Sequence, residues 1–255
     1  MSSCPPIVLA FAASDPTGGA GMQADLLTIA AMGCHPLSVL TALTVQDTSG
    51  VESVQAVDAE RVRAQAEALL ADMRVAAFKL GVLGSAENMR VIADILSELP
   101  EIPVVLDPVL ASGRGDPLAS EDMLQALCEL VVPQSTIATP NSLEAGRLGG
   151  AQKLLAMGCE YVLVTGTHEP SDEVVNTLYD RGGVVRADSW QRLPGSYHGS
   201  GCTLASAIAA ALASGRAVPE AVRDAQEYTW QTLAAGFAPG RGQFIPNRFF
   251  WHDRT

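Results

Sequence analysis

A glycine-rich turn near the carboxyl end of the chain has the composition of an anion-binding site. Residues 198–203 read His-Gly-Ser-Gly-Cys-Thr and lead into an alanine-rich helical stretch at residues 204–213. The first N–H groups of a helix lack intrahelical acceptors and lie at the positive end of the helix dipole, so this turn can bind a phosphate or another anion. At that position Cys202 is expected to have a lowered thiol pKa and to act as a base or nucleophile. The competing interpretation is a tight turn that only lets a buried helix pack against a strand.

A second glycine-rich turn lies at residues 15–21, ahead of a helix predicted over residues 22–32. It matches neither the G-x-G-x-x-G pattern of dinucleotide-binding folds nor the G-K-[ST] ending of a P-loop. Asp15 opens this turn, and its carboxylate either accepts hydrogen bonds from a ligand or caps the turn itself.

Three further polar residues stand where strands are predicted to end. Asp107 follows the apolar run at residues 104–106 and precedes Pro108. A carboxylate at this position either takes part in metal or phosphate chemistry or stabilises a turn. Asn141 and Glu144 are three residues apart, which suits a hydrated metal ion but equally a helix N-cap with its capping box. The capping interpretation is the more ordinary one.

Lys79 and the histidines have plain structural interpretations. Lys79 lies in an apolar strand, where its stem is expected to snorkel while its amine pairs with a carboxylate. His168 and His198 follow glycine-rich strand ends and are expected beside the cleft as structural residues, because no metal-binding cluster surrounds them. His35 and His252 are expected on the surface or in packing.

The elements that must position these residues alternate between strands and helices. Apolar runs occur at residues 7–13, 37–45, 76–80, 104–106, 136–138 and 161–164, and amphipathic helices are predicted at residues 60–73 and 87–99. This order predicts an α/β fold with a central, mainly parallel sheet flanked by helices on both faces, as a single domain over residues 1–255. Ligands of such sheets bind outside the carboxyl ends of the strands, where the polar residues above are found.

Charge and cysteine usage narrow the functional class. The 255 residues include 16 Lys and Arg against 28 Asp and Glu, a net charge of −12, which argues against nucleic acid and membrane surfaces as partners. A phosphorylated ligand must then bind through backbone N–H groups, a few cations or a metal ion. The five cysteines form no C-x-x-C pair, and neither a signal peptide nor a membrane-spanning stretch is apparent, so a cytoplasmic location is expected.

Three strings together resemble the hydroxymethylpyrimidine/phosphomethylpyrimidine kinase family of the ribokinase-like superfamily. They are Ser-Asp-Pro-Thr-Gly-Gly-Ala-Gly-Met-Gln-Ala-Asp at residues 14–25, Thr-Ala-Leu-Thr-Val-Gln-Asp-Thr at residues 41–48, and the turn at residues 198–203. Sugar kinases of this superfamily carry Asp at the position of Cys202, so the cysteine indicates the pyrimidine and pyridoxal branch. The resemblance runs from residue 7 to about residue 215.

The resemblance implies ATP-dependent phosphorylation of 4-amino-5-hydroxymethyl-2-methylpyrimidine and then of its monophosphate, with Mg²⁺ as cofactor and a homodimeric assembly. It places substrate binding at Gln46, Asp15, Ala13, Val82 and Val109. It places the anion hole at Gly199, Ser200, Gly201 and Cys202, with the cysteine beside the attacking hydroxyl. It places the ATP phosphates at Thr165, Gly166 and Asn141, and the metal and its waters at Asp107 and Glu144, with Asn141 assisting.

Some positions depart from the family pattern. Thr165 stands where the family often has a phosphate-facing Lys, and Arg114 lies one position beyond another family Lys. Only Gly149 and Gly150 remain where a longer helical insertion is usual, and Ala13 replaces a glycine at the pyrimidine wall. The missing Lys leaves a catalytically weak pyrimidine-binding paralogue as an alternative. A pyridoxal kinase is the other alternative, because that branch shares the fold and the cysteine-containing anion turn.

Two further features complete the sequence-based interpretation. A hydrolase using Cys202 and His198 is disfavoured, because the two lie four residues apart in one turn without a third group to orient them. Residues 169–197 are expected to form a lid, and residues 241–255 a segment that packs on the core.

Overall fold

Nine strands and eight α-helices make up the part of the chain that the computed structural model describes, residues 4–110 and 120–252. The strands are β1 Ile7–Ser14, β2 His35–Asp47, β3 Gly50–Ala56, β4 Ala77–Leu80, β5 Val104–Leu106, β6 Ile137–Ala138, β7 Tyr161–Thr165, β8 Glu173–Asp180 and β9 Gly183–Gln191. The helices are α1 Gly21–Ala31, α2 Ala59–Asp72, α3 Ala86–Ser97, α4 Glu121–Ala126, α5 Ser142–Arg147, α6 Ala151–Met157, α7 Ser200–Ala213 and α8 Val218–Ala234. A π-helical turn, Leu127–Val131, and a 3₁₀ turn, Val132–Gln134, follow α4.

All nine strands belong to one sheet in the order β3-β2-β1-β4-β5-β6-β7-β8-β9. The six strands from β2 to β7 pair in parallel, whereas β3 at one edge and the β8–β9 hairpin at the other are antiparallel. The predicted mainly parallel sheet is confirmed.

Helices cover both faces of the sheet, and the side chains of β1 show why. Successive residues of a strand point to opposite faces. Leu9 and Phe11 pack in one apolar cluster with residues of α2 and α3, while Val8 and Ala10 pack in a second cluster with residues of α1, α7 and α8. A strand that is apolar at every position but its last therefore forms the centre of a sheet with two buried faces.

The six parallel strands lie where the apolar runs predict them, with β2 two residues longer at each end. The strands β3, β8 and β9 were not predicted, because most of their residues are exposed or half-buried and form no continuous apolar run. The expected lid at residues 169–197 thus contains a hairpin that continues the sheet. No helix in the described residues is long and apolar enough to cross a bilayer.

The order of the strands creates a crevice beside β1. The chain passes from β1 to β2 on one side and later returns to β4 on the other side. At such a switch point the connections leave in opposite directions, which opens a cleft at the carboxyl ends of the strands.

Candidate active site

A cleft of about 480 Å³ occupies this end of the sheet. Apart from Gly166, all the residues that the sequence assigned to the site line it: Ala13, Asp15, Gln46, Val82, Asp107, Val109, Asn141, Glu144, Thr165, Gly199, Ser200, Gly201 and Cys202. The cleft is also lined by the hairpin residues Asn176 and Trp190 and by Gln226 of α8, which sequence reasoning missed. The strand ends and the start of α7 therefore converge on one cavity.

The turn before α7 presents unpaired N–H groups to this cleft. Gly199 is the N-cap of α7 with φ +83°, and no side chain of the described residues caps that helix end. A Cβ at Gly199 would overlap the carbonyl oxygen of Gly19. The Thr203 hydroxyl donates to the carbonyl of Gly199 at 2.8 Å and fixes the turn. The two glycine-rich turns of the sequence thus touch, which only glycine permits here.

The expectation of a lowered Cys202 pKa is wrong. Desolvation by burial raises the pKa of the Cys202 thiol to about 12, although the charge of Lys79 acts in the opposite direction. The loss of water around the thiol outweighs the helix dipole and the nearby cation. Cys202 is therefore a neutral thiol at physiological pH.

Both oxygens of Asp15 are engaged in holding the first glycine-rich turn. They accept hydrogen bonds from the N–H groups of Thr17 at 2.8 Å and Ala20 at 2.7 Å, and from the Thr17 hydroxyl at 3.0 Å. His198 Nε2 lies 2.8 Å from Asp15 Oδ2. Burial alone would raise the pKa of Asp15, but the hydrogen bonds from His198, Ala20 and Thr17 hold it at about 2. The turn-capping interpretation is confirmed.

A buried ion pair lies beneath the cleft. Lys79 Nζ is 2.8 Å from Asp25 Oδ1, and the Ser206 hydroxyl donates to the same oxygen at 2.8 Å. The carboxylate pairing predicted for Lys79 is confirmed, but snorkelling is not, because the side chain is fully buried. Burial opposes the charged amine, yet the nearby Asp25 carboxylate raises the pKa of Lys79 above its ordinary value. Asp25, within the first family string, was not recognised as its partner.

Asn141 and Glu144 form the capping box that their spacing indicates. Asn141 Oδ1 accepts from the N–H of Glu144 at 2.9 Å, and Glu144 Oε2 accepts from the N–H of Asn141 at 3.0 Å. Burial, and then the negative charge of Asp107, raise the pKa of Glu144 to about 7. Two carboxylates therefore face each other across a desolvated part of the cleft.

The same two carboxylates fit a Mg²⁺ ion. Asp107 Oδ2 is buried and has no hydrogen-bond partner among the described residues. Lys79 Nζ lies 4.0 Å from this oxygen, and burial raises the pKa of Asp107 although the charge of Lys79 acts in the opposite direction. No group of three or more metal-ligating side chains occurs in residues 4–110 and 120–252. Mg²⁺ commonly binds through one or two carboxylates together with phosphate oxygens and waters, which this corner can supply.

The titration of Glu144 predicts a pH-dependent stability difference between wild type and Glu144→Gln. With a pKa of about 7 in the folded protein and a lower one when unfolded, the native state binds the extra proton, so wild-type stability falls as pH rises toward 7. Between pH 5 and pH 8, wild type should lose about 3 kcal/mol relative to Glu144→Gln. Urea unfolding of both proteins at the two pH values measures this change, and a pH-independent difference would contradict it.

The segment after β7 differs from its predicted role. Gly166 donates its N–H to Asn176 Oδ1 at 3.1 Å, and a Cβ there would overlap the carbonyl oxygen of Val175. Its amide is thus committed to β8 and does not face the cleft in this structure. Asn176 in turn donates to Gln226 at 2.8 Å, and Gln226 donates to Asp188 at 2.9 Å. This network joins the hairpin to α8. It could not be predicted from the sequence, because the hairpin itself was not predicted.

His168 and His198 line the cleft, and His35 and His252 are exposed, as predicted. Arg114 lies outside the described residues.

The carboxyl-terminal segment contributes a residue that the sequence did not reveal. Buried Arg248 donates to the carbonyl oxygen of Gly19 at 2.6 Å and to the Thr203 hydroxyl at 3.0 Å. Arg248 therefore connects the glycine-rich turn at residues 15–21 with the turn at residues 198–203 through hydrogen bonds.

Comparisons with known proteins agree with this geometry. A family model described as phosphomethylpyrimidine kinase matches residues 15–247. A hydroxymethylpyrimidine/phosphomethylpyrimidine kinase from Streptomyces coelicolor is 41% identical over an alignment that covers 93% of this chain and 92% of that protein. The pyridoxal kinase of Bacillus subtilis in its ADP complex is 28% identical with a TM-score of 0.90, covering 97% of this chain and 99% of that chain. A phosphomethylpyrimidine kinase from Clostridium difficile is 32% identical with a TM-score of 0.78, covering 89% and 99%. The predicted ribokinase-like fold is confirmed.

Proposed function

Because the chain belongs to the phosphomethylpyrimidine kinase family, we propose that it phosphorylates the hydroxymethyl group of 4-amino-5-hydroxymethyl-2-methylpyrimidine with ATP, and then the monophosphate to the diphosphate, in thiamine biosynthesis. The observation that carries the proposal is the uncapped start of α7, at Gly199 and Ser200, in the same cleft as Gln46. An anion-binding turn beside a polar amide suits a ring alcohol that receives a phosphoryl group.

Positioning and charge stabilisation perform most of this reaction. The N–H groups of Ser200, Gly201 and Cys202 hold the transferred phosphoryl group against the attacking hydroxyl. Cys202 is protonated and hydrogen-bonded to Asp107. As the new P–O bond forms, the bond between the γ-phosphorus and its bridging oxygen breaks and ADP leaves with that oxygen. The hydroxyl proton passes to the thiol sulfur, and the thiol proton passes to Asp107.

Asp107 and Glu144 would hold Mg²⁺ together with phosphate oxygens of ATP. The ion supplies positive charge to the phosphates when it is bound. Asn141 and Thr165 line the same part of the cleft and would contact the nucleotide. Gly166 would contact a phosphate only after its N–H leaves Asn176.

Ring recognition is assigned to Gln46, with Ala13, Val82 and Val109 as apolar walls and Asp15 holding the turn beside them. Gln46→Ala is expected to raise the KM for the pyrimidine about tenfold or more, because a buried hydrogen-bonded pair is lost. The KM for ATP should stay unchanged. Steady-state kinetics with each substrate varied in turn measures both values.

Gln55→Ala is the matched control, because Gln55 is exposed on β3 and lies outside the cleft. Its kinetics should equal those of wild type. Equal pyrimidine KM values for Gln46→Ala and wild type would remove Gln46 from ring recognition.

A pyridoxal kinase is the second candidate, supported by the likeness in fold to the Bacillus subtilis enzyme. Both substrates are rings that carry a hydroxymethyl group, so the anion turn serves either. Competition between pyridoxal and the pyrimidine separates them. A kcat/KM that is higher for pyridoxal would assign the chain to this second activity.

We further propose that residues 1–255 act as one domain, as a homodimer in the cytoplasm. The continuous sheet supports the first point, and closed dimers are the commonest assemblies of soluble proteins. Sedimentation equilibrium gives the mass directly, and a monomer at micromolar concentration would contradict the dimer.

A further inference from the structure

The carboxylate of Asp15 determines where the His198 ring carries a proton. His198 Nε2 lies 2.8 Å from Asp15 Oδ2. A carboxylate only accepts hydrogen bonds, and Asp15 is ionised because its pKa is held at about 2. The hydrogen in this contact therefore belongs to the histidine. Nε2 is protonated whether the ring is neutral or charged.

The His198 ring is also held in place by its surroundings. Its backbone N–H donates to the carbonyl oxygen of Phe244 at 2.8 Å. Its Cδ2 atom occupies the space that a side chain at Gly19 would need. The Nε2–H group is thus a fixed donor at the edge of the cleft.

This fixed donor determines the orientation of the Gln46 amide. The side-chain position assigned to Gln46 Nε2 is 3.3 Å from His198 Nε2. Two N–H donors cannot bond to each other, and a half-turn of the Gln46 amide exchanges the places of its oxygen and nitrogen. The carbonyl oxygen of Gln46 therefore faces His198 and shares its hydrogen with Asp15, while the NH₂ group faces away.

We infer that Asp15 and His198 are positioning residues that set the orientation of the Gln46 amide, and thereby select an aminopyrimidine over a ring that bears a carbonyl group at the same position. The inference rests on the proposed function and names the feature of the substrate that the site recognises.

The direction of the selection follows from the sequence of the turn. The Gln46 oxygen faces His198, and His198 immediately precedes Gly199 of the anion-binding turn, so in the proposed complex the hydroxymethyl group lies on the oxygen side of the amide. In the pyrimidine the 4-amino group is the ring substituent next to the hydroxymethyl carbon, and ring nitrogen N3 comes next. The Gln46 oxygen accepts from the amino group, and its NH₂ donates to N3. Pyridoxal carries a formyl oxygen at the amino position, which would oppose the amide oxygen.

Ligand binding without nucleotide tests this inference independently of turnover. Isothermal titration calorimetry gives the Kd values of the hydroxymethylpyrimidine and of pyridoxal, and their ratio is the preference. Wild type should prefer the pyrimidine, and His198→Phe should lose about tenfold or more of that preference, because the ring remains but its N–H is gone. His198→Gln, whose amide can still donate to Asp15, should recover most of it.

Two comparisons separate amide orientation from a general structural effect. In a Gln46→Ala background, adding His198→Phe should change the preference no further, because the group to be oriented is absent. His35→Phe, at an exposed histidine on β2, should match wild type.

An unchanged preference in His198→Phe, or an equal weakening of both ligands, would overturn the inference, as would a wild type that does not prefer the pyrimidine. A wild type that binds the pyrimidine with the expected preference, loses it in His198→Phe, yet releases no ADP would support the inference and contradict the kinase proposal.

Discussion

Alanine at Gly199 is expected to lower kcat by about two to three orders of magnitude, the loss seen when a hydrogen-bond donor to transition-state charge is removed. The new Cβ would overlap the carbonyl oxygen of Gly19, and the φ of +83° is unfavourable for any residue with a Cβ. The turn must shift, which moves the N–H groups of Ser200 and Gly201 away from the phosphoryl position. Steady-state kinetics, with circular dichroism to verify folding, measures the effect.

Gly215→Ala is the matched control. Gly215 follows the other end of α7 and has the same φ of +83°, but a Cβ there meets nothing within 4 Å. This variant carries the backbone strain alone, about 1 kcal/mol, and should keep the wild-type kcat. Equal losses of activity in the two variants would show that strain in α7, rather than the shape of the anion turn, limits the reaction.

Lys79→Met is expected to destabilise the fold by about 3–5 kcal/mol, because it leaves the carboxylate of Asp25 buried without its cation. Both side chains of this pair are fully buried, and Nζ lies 2.8 Å from Oδ1. Methionine has a similar length and keeps the apolar packing, so the loss reports mainly on the unpaired charge. Urea unfolding monitored by tryptophan fluorescence gives the free energy of unfolding.

Arg90→Met supplies the comparison with an exposed ion pair. Arg90 lies 3.5 Å from Glu87 on the surface of α3, and breaking such a pair costs about 0–1 kcal/mol. A loss in Lys79→Met no larger than in Arg90→Met would mean that Asp25 is neutral in the folded protein, contrary to the ion pair described above.

The parts of the fold that could be predicted from the sequence are those with two buried faces. Strands such as β1 are apolar at every position but the last, so their presence follows from the pattern alone. The β8–β9 hairpin mixes exposed valines with polar residues, as in Val184 and Val185, and only its pairing with β7 determines its place. Edge strands depend on neighbours that are distant in sequence, and a local pattern does not contain that information.

The candidate site shows the same division. Glycine turns and strand-end carboxylates place residues such as Asp107 and Gly199 in one cleft, because the topology brings the strand ends together. The pKa of Cys202 could not be predicted, since desolvation depends on everything packed around the thiol. The contacts of Arg248 and the commitment of the Gly166 amide to Asn176 likewise depend on tertiary packing.

We propose that this chain transfers phosphoryl groups from ATP to the hydroxymethylpyrimidine and to its monophosphate. The most direct test is ADP release with Mg²⁺ and ATP, with the pyrimidine, its monophosphate and pyridoxal in separate reactions and Cys202→Ala as the control. We expect turnover with both pyrimidines, weaker turnover with pyridoxal, and a large loss of turnover in Cys202→Ala. Turnover with the monophosphate alone would restrict the chain to the second step. Tight pyrimidine binding without ADP release would contradict the kinase proposal and indicate a binding protein. In that case Thr165→Lys, which restores the lysine of the family pattern, is the first variant to test for ADP release.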